Sequence, residues 1–359
     1  MHRRALLALA ALPLALMGAG VAAARADETR ISGPVIHENL AIYLVHGSSA
    51  PGPVPLTLDE ALAKQQVKVH ETGNVNELQI ENLGSEEVFV QSGDIVKGGQ
   101  QDRVLSVSLL LPPKSGRIPI ASFCVEQGRW TARGKEDMKT FATASAVVPS
   151  REAKLAMKAP IPQPAPPPVS DPSGAIRDRV RALVGLDTGS RQREVWAKVR
   201  AVQDGLSSNL GVSVNAPASQ SSLQLALENE KLKDAQASYL AALRDLPEKD
   251  DDVVGYVFAV NGKLNSAEIY PSNGLFRKMW PKLLQASVTE AIGQKNAGGE
   301  ATPSAEAALA FLDAARKGIA SEKPLPAAVK LEMRDAETAL YFETKRPDGA
   351  WVHRSYLAK

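Results

Sequence analysis

Apolar and polar positions alternate with a period of two through much of the first third of the chain. Leu40, Ile42 and Leu44 mark a first strand, Val67 to Glu71 and Glu77 to Asn82 two more. Val88-Phe89-Val90 and Ile95-Val96 are short apolar runs split by Ser92-Gly93-Asp94. Val104 to Leu111 reads as one strand, with Leu105, Val107, Leu109 and Leu111 on one face. After the turn chemistry of Pro112-Pro113-Lys114-Ser115-Gly116, a further strand covers Arg117 to Gln127. Thr57 to Gln65 has a helical pattern, with Thr57 and Glu60 at capping-box spacing.

Beyond residue 175 the period lengthens. Val195, Val199 and Val202 sit at helical spacing beside Trp196, and Leu225, Leu232, Tyr239, Leu243 and Leu246 form another stripe. Residues 253–270 return to strand, with Asn261-Gly262 as a hairpin turn. A helix striped by Leu275, Phe276, Met279, Trp280, Leu283, Leu284 and Val288 follows, and Pro281 is expected to kink it. Thr302-Pro303 starts another helix and Lys317-Gly318 stops it. Val329 to Met333, Ala339 to Thr344 and Ala350 to Leu357 read as a closing meander. The order predicts an α+β fold: a β-rich N-terminal sheet region over 27–148, a helical middle, and a C-terminal mixed hairpin, helix and strand meander. Regions 27–148 and 175–359 are expected to pack as one domain.

Between them, residues 149–174 hold eight of the 24 prolines, which reads as a Pro-rich linker or insertion in extended polyproline geometry. The first 26 residues read as a signal peptide. His2-Arg3-Arg4 leads an apolar run from Ala5 to Met17, and Ala24-Arg25-Ala26 precedes Asp27. The run is shorter than a membrane span and no cysteine follows, so the expectation is an exported protein, periplasmic or secreted, with no stable membrane anchor after cleavage. The alternative is an uncleaved anchor.

Composition narrows the function. At 359 residues, 44% hydrophobic and 23% charged, the chain is ordinary globular protein. Of its 42 basic residues, Arg3, Arg4 and Arg25 lie in the signal segment; the 39 remaining face 40 acidic ones, which argues against a nucleic-acid partner. A single cysteine, Cys124, excludes an internal disulfide and a multi-cysteine zinc site. The five histidines show no metal-ligand spacing, and no cofactor or metal is called for.

Two segments concentrate chemistry. Ser92 to Arg103 carries three glycines, Lys97 and Arg103 as cations, and Asp94 and Asp102 as acceptors. The backbone shapes these glycines allow expose amide N–H groups, which suit a nest for a phosphate or carboxylate. The segment lacks the Gly-Lys-Ser/Thr ending of a P-loop and leads into a strand, so the plain alternative is a glycine-rich hairpin with solvated charges. In the second segment, Cys124 follows Ile118 and Ile120 onto a core face, where a free cysteine is a small buried hydrophobe; the alternative is a nucleophilic thiol with His37, His46, His70 or His353 brought near in space. Glu126 ends that face beside Arg129, either as an ion pair or as a general base, and Trp130 either stacks on a ligand or caps the core.

The pairing of Gln91-Ser92-Gly93-Asp94-Ile95-Val96-Lys97-Gly98-Gly99-Gln100-Gln101-Asp102-Arg103 with Cys124-Val125-Glu126-Gln127-Gly128-Arg129-Trp130 resembles the ARG and Rhodanese-Phosphatase-superfamily-associated protein domain, a largely uncharacterised family. Val257 to Gly262, Phe276 and Trp280-Pro281-Lys282-Leu283-Leu284 are similar to its C-terminal part. The resemblance spans residues 35–300, with the proline insertion and the export signal as departures. The family's name implies, by association, a role near ADP-ribose or nucleotide-derived ligands, and the resemblance carries over no catalytic residue.

Three functions follow as expectations. The first is a binding module in which Asp94, Lys97, Gly98, Gly99, Gln100, Arg103, Arg129 and Trp130 hold a small anionic ligand. The second is a hydrolase or transferase with Glu126 or Asp102 as general base and Arg103 or Arg129 stabilising negative charge. The third is a non-catalytic envelope scaffold.

Overall fold

The computed structural model describes residues 29–158, 188–296 and 299–359. The expected signal peptide, most of the expected proline linker and the start of the helical middle lie outside the described residues. The architecture is α+β. One sheet has eight strands in the order β1 (Arg30–His37), β2 (Leu40–His46), β12 (Val253–Val260), β13 (Lys263–Ile269), β17 (Trp351–Ala358), β16 (Ala339–Lys345), β15 (Lys330–Asp335) and β14 (Ile319–Pro324). Each neighbouring pair is antiparallel. The first and last described strands of the chain thus share a single sheet.

The sequence Val253-Val254-Gly255-Tyr256-Val257-Phe258-Ala259-Val260 is continuously apolar because strand β12 is covered on both faces. On one face, α7 (Ala305–Arg316) presents Ala308, Leu312 and Ala315 to Ala41, Tyr43 and Val257. On the other, α6 (Asn273–Gly293) packs Phe276 and Trp280 against Tyr256, whose ring lies 5.2 Å edge-on from Trp280. Helices α3 (Thr188–Leu210) and α5 (Glu230–Leu243) complete that layer with Val195, Val199, Leu232 and Tyr239. The β12–β13 turn has positive φ at both Asn261 and Gly262, the backbone that this dipeptide favours. Helix α6 runs through Pro281 as one element.

A second sheet orders β11 (Phe141–Val147), β7 (Asp94–Gly98), β8 (Arg103–Leu105), β10 (Gly116–Cys124), β5 (Glu77–Asn82) and β4 (Val67–Glu71). A three-stranded sheet, β3 (Leu56–Thr57), β6 (Val88–Val90) and β9 (Leu109–Leu111), shares a core with it. Thr57 and Glu60 close the expected capping box on α1 (Leu58–Ala63).

Two expectations are corrected. Val104 to Leu111 is not one strand: Ser106-Val107-Ser108 leaves the ladder, and the chain steps from the six-stranded sheet to the three-stranded one. The Ser106 amide bonds Ala121 O, and the Ser92 amide donates to Ser108 Oγ at 2.9 Å. Alternation hid the break because both short strands are buried throughout. The expected linker, in turn, opens with a helix, α2 (Arg151–Lys158), which buries Ala153, Ala156 and Met157. The residues between Pro149 and Pro160 hold no proline and are rich in helix formers. Among the described residues, no helix is long and apolar enough to cross a membrane.

Candidate functional site

The two segments singled out in the sequence meet. Strands β7 and β8 are joined by Gly99-Gln100-Gln101-Asp102, and this loop lies against the chain that leaves β10 through Glu126. Gly98 and Gly99 both have positive φ, and a Cβ on Gly99 would collide with the Phe141 ring. Their carbonyls accept from Arg129, at 3.0 Å for Gly98 and 3.1 Å for Gly99. Arg129 Nε lies 2.8 Å from Glu126 Oε2.

This junction is closed. Asp102 and Glu126 are both 0% exposed. Asp102 accepts from the Gly98 amide (3.0 Å), Ser222 Oγ (2.7 Å) and Arg133 Nη1 and Nη2 (3.0 and 2.9 Å). Glu126 accepts from the Asp102 amide (2.9 Å) and Arg133 Nη1 (3.1 Å). Burial opposes the charge on Arg133, but hydrogen bonds to Asp102 and Glu136 outweigh it and raise its pKa. Arg103, fully buried, bonds Gln101 O and sits 3.4 Å from Glu71. The glycine amides are therefore occupied by the protein's own acceptors: Gly98 N–H by Asp102, Gly99 N–H by the Asp137 and Thr140 carbonyls, and the Gln100 amide by Glu71.

The other candidates stand around this junction. Lys97 pairs with Glu228 at 2.7 Å, and Trp130 is half-exposed. Asp94 lies apart on β7, 2.6 Å from Lys282 of α6, which also meets Asp59 at 3.2 Å. Burial pushes the Asp94 carboxyl up to about 6 against the pull of Lys282. Burial likewise pushes the Cys124 thiol up to about 11, which keeps it protonated at neutral pH. Among the described residues, no three His, Cys, Asp or Glu side chains are grouped to hold a metal.

A different constellation surrounds an open space. A cavity of about 460 Å³ lies between the β14–β17 end of the eight-stranded sheet, the 106–108 break, strand β10 and the end of α2. Ser108, Ser122, Lys158, Arg191, His353 and Ser355 line it. Its chemistry follows from strand pairing. Glu268 of β13 stands opposite Ser355 of β17, and His353 lies two residues along, on the same face. His353 Nε2 comes 3.1 Å from Glu268 Oε2, off the angle of a hydrogen bond. His353 Nδ1 is 3.0 Å from Ser108 Oγ.

Burial holds the His353 pKa below that of a free imidazole, although Glu268 draws it upward. Burial would also raise Glu268, but His353 and Lys154 (3.6 Å away) outweigh it and hold the carboxyl at about 2. Lys158, one helical turn from Lys154, carries its Nζ 4.7 Å over the Phe342 ring. Among the described residues, no carboxylate lies within ion-pair distance of Lys158, and burial pulls its pKa down to about 8. Ser122 Oγ and Ser355 Oγ, both buried, find no hydrogen-bond partner among the described residues.

Ser108, Lys158 and Glu268 are absent from the sequence-derived candidates, and His353 enters there only as a histidine that could approach Cys124. The available signals were Ser106 and Ser108 inside a leucine-rich run, and a lone acid and a lone histidine within apolar strands. Neither a curated protein nor a solved structure matches the chain. A family model does match, over residues 28–357, nearly the whole length. The paired motifs and that coverage agree: the chain belongs to the family of the ARG and Rhodanese-Phosphatase-superfamily-associated Protein domain.

Proposed function

We propose that the protein binds a small anionic ligand, one bearing a carboxylate or phosphate, in the cavity walled by Lys158, Ser122 and Ser355. The carrying observation is the Lys158 amino group, which forms no ion pair with a carboxylate among the described residues and stands in one cavity wall with two unpartnered buried hydroxyls. A half-buried cation without a counter-ion and buried, orphaned hydroxyls are costly unless something completes them. The volume lies within the range of small-molecule pockets. ADP-ribose and nucleotide-derived compounds, with which the family's name is associated, belong to this ligand class.

On this reading, the glycine loop and Glu126 do not receive the ligand. Their amides are matched internally and their guanidinium groups pair with Glu71, Asp102 and Glu126, with only Arg103 Nε and Arg129 Nε making no hydrogen bond among the described residues, and the loop acts as a clasp that fixes β7, β8 and β10. We also take the protein to be exported, with Asp27 as the first residue after removal of the leader; N-terminal sequencing of the secreted or periplasmic fraction checks this.

Calorimetry and thermal shift with ADP-ribose, AMP, inorganic phosphate and succinate are the test. A ligand at about 100 times its Kd stabilises the folded state by about 2.7 kcal/mol. Lys158→Met should abolish both the heat and the shift. Silence across the panel, or equal responses from wild type and Lys158→Met, would sink the proposal.

A further inference from the structure

Among the described residues, a serine–histidine–acid chain occurs at two places. In one, Ser32 Oγ is 2.7 Å from His46 Nε2, and His46 Nδ1 is 2.7 Å from Asp252 Oδ1. That chain begins on the edge strand β1, its acid is half exposed and shared with Arg30, and the cavity described above does not reach it. The other is Ser108–His353–Glu268, and its serine and histidine stand in the wall of that cavity.

A serine hydroxyl attacks poorly at neutral pH unless a positioned base takes its proton. His353 Nδ1 is within reach of Ser108 Oγ, with the hydroxyl donating and the ring nitrogen accepting. The ring proton then sits on Nε2, facing the Glu268 carboxylate. The low pKa of the buried imidazole keeps that base free at neutral pH. Ser108 stands where the chain leaves one sheet for another, and the Ser92 amide fixes its oxygen from a second side. Lys158 supplies a cation to the same space.

We infer that Ser108 is the nucleophile and His353 the general base of a hydrolytic site that cleaves small esters carrying a carboxylate or phosphate, with Glu268 as a positioning residue. The inference rests on the anion-binding reading of this cavity. In the first step, Ser108 Oγ bonds to the ester carbonyl carbon while its proton passes to His353 Nδ1. The carbon–oxygen bond to the alcohol breaks, and the alcohol leaves with that proton. Water then attacks the acyl-serine carbonyl and gives a proton to Nδ1; the carboxylic acid departs, and Ser108 recovers its proton. Solvent water is the only co-reactant.

The experiment treats the purified full-length protein with diisopropyl fluorophosphate, maps the adduct by mass spectrometry, and follows hydrolysis of p-nitrophenyl succinate. One adduct at Ser108 is expected. Ser108→Ala should abolish labelling and hydrolysis, and His353→Gln should slow hydrolysis by about 10²- to 10⁴-fold, the usual worth of a general base. Glu268→Gln should move the acid limb of the pH profile while Ser108 still labels, which a purely structural role does not predict. Should His353→Gln fail to fold, Ser108→Ala, which loses one oxygen, carries the test. Phosphate or ADP-ribose binding without any adduct overturns this inference and leaves the binding reading standing. An adduct at Ser32, or undiminished hydrolysis by Ser108→Ala, also overturns it. Neither binding nor labelling removes both readings.

Discussion

Replacing Arg133 by methionine is the sharpest test of the clasp. Arg133 gives Asp102 two hydrogen bonds and Glu126 one, and both carboxylates are fully buried. Methionine fills part of the volume but supplies no donor. Asp102 would keep the Gly98 amide, Ser222 Oγ and a distant Arg129 at 3.7 Å; Glu126 would keep the Asp102 amide and Arg129 Nε at 2.8 Å. Two buried negative charges would then share one guanidinium. Breaking a buried ion pair from one side costs about 3–5 kcal/mol. The bonds to Glu136, which is partly exposed, add little to that. Tm falls by about 2–4 °C per kcal/mol for domains of about 150–250 residues, and by roughly 1.4 °C in a chain of this length, so a loss of about 4–7 °C is expected by calorimetry. The double variant Arg133→Met/Asp102→Asn removes one orphaned charge together with its partner, and should recover about 0.5–3 kcal/mol relative to additivity. A single-variant shift below about 2 °C, or strict additivity in the double variant, would show that the network is solvated in solution and that the clasp argument is wrong.

Other outcomes follow from the same geometry. Gly99→Ala forces an L-residue into positive φ at a cost of about 1–2 kcal/mol and drives a methyl into Phe141, so its urea midpoint should fall; an unchanged midpoint contradicts the packing. Lys158 loses its charge as pH rises through about 8, so affinity for inorganic phosphate should be full below that value and decline above it, whereas a pH-independent Kd denies Lys158 its role. Glu268 has a folded pKa of about 2, below its ordinary 4.5; its ionised form therefore stabilises the fold above 4.5, and that contribution is lost as pH falls toward 2. The stability gap between wild type and Glu268→Gln, measured by urea titration, should accordingly narrow across that interval, and a gap that widens reverses the sign of the argument.

Much of the fold was legible because its signals are local. The Asn261-Gly262 turn, the Thr57/Glu60 capping box and the closing meander each need only a few adjacent residues to declare themselves. Strand β14 went unread: all six of its residues are exposed, so no apolar face marks it. The break at Ser106-Val107-Ser108 went unread for the opposite reason, since strands buried on both faces lose the alternation that sets register. The meeting of the glycine loop with Glu126 was visible as a paired motif. Its dominant partner, Arg133, was not, because it belongs to an irregular segment with no period to place it. The cavity residues come from many segments distant in the chain, among them the 106–108 break, β10, α2, α3 and β14 to β17. Glu268 and His353 become neighbours only through the pairing of β13 with β17, which no property of either strand alone specifies.

The two charged constellations differ in how completely they are neutralised, and that difference bears on function more than their composition does. Around the glycine loop, Arg103, Arg129 and Arg133 meet Glu71, Asp102, Glu126 and Glu136, and the carboxylate oxygens of Asp102 and Glu126 all have donors. A network matched in this way resists opening, because admitting an outside anion would displace Asp102 and strand it in a low-dielectric interior. In the cavity wall, Lys158, Arg191 and Lys323 accompany one carboxylate, Glu322; behind it Glu268 meets Lys154, and burial lowers the His353 pKa. The excess positive charge and the orphaned hydroxyls there are costs that folding alone does not offset. An incoming anion would offset them without breaking any existing pair. The conspicuous motif therefore has the electrostatics of a fastening, and the inconspicuous cavity has those of a site.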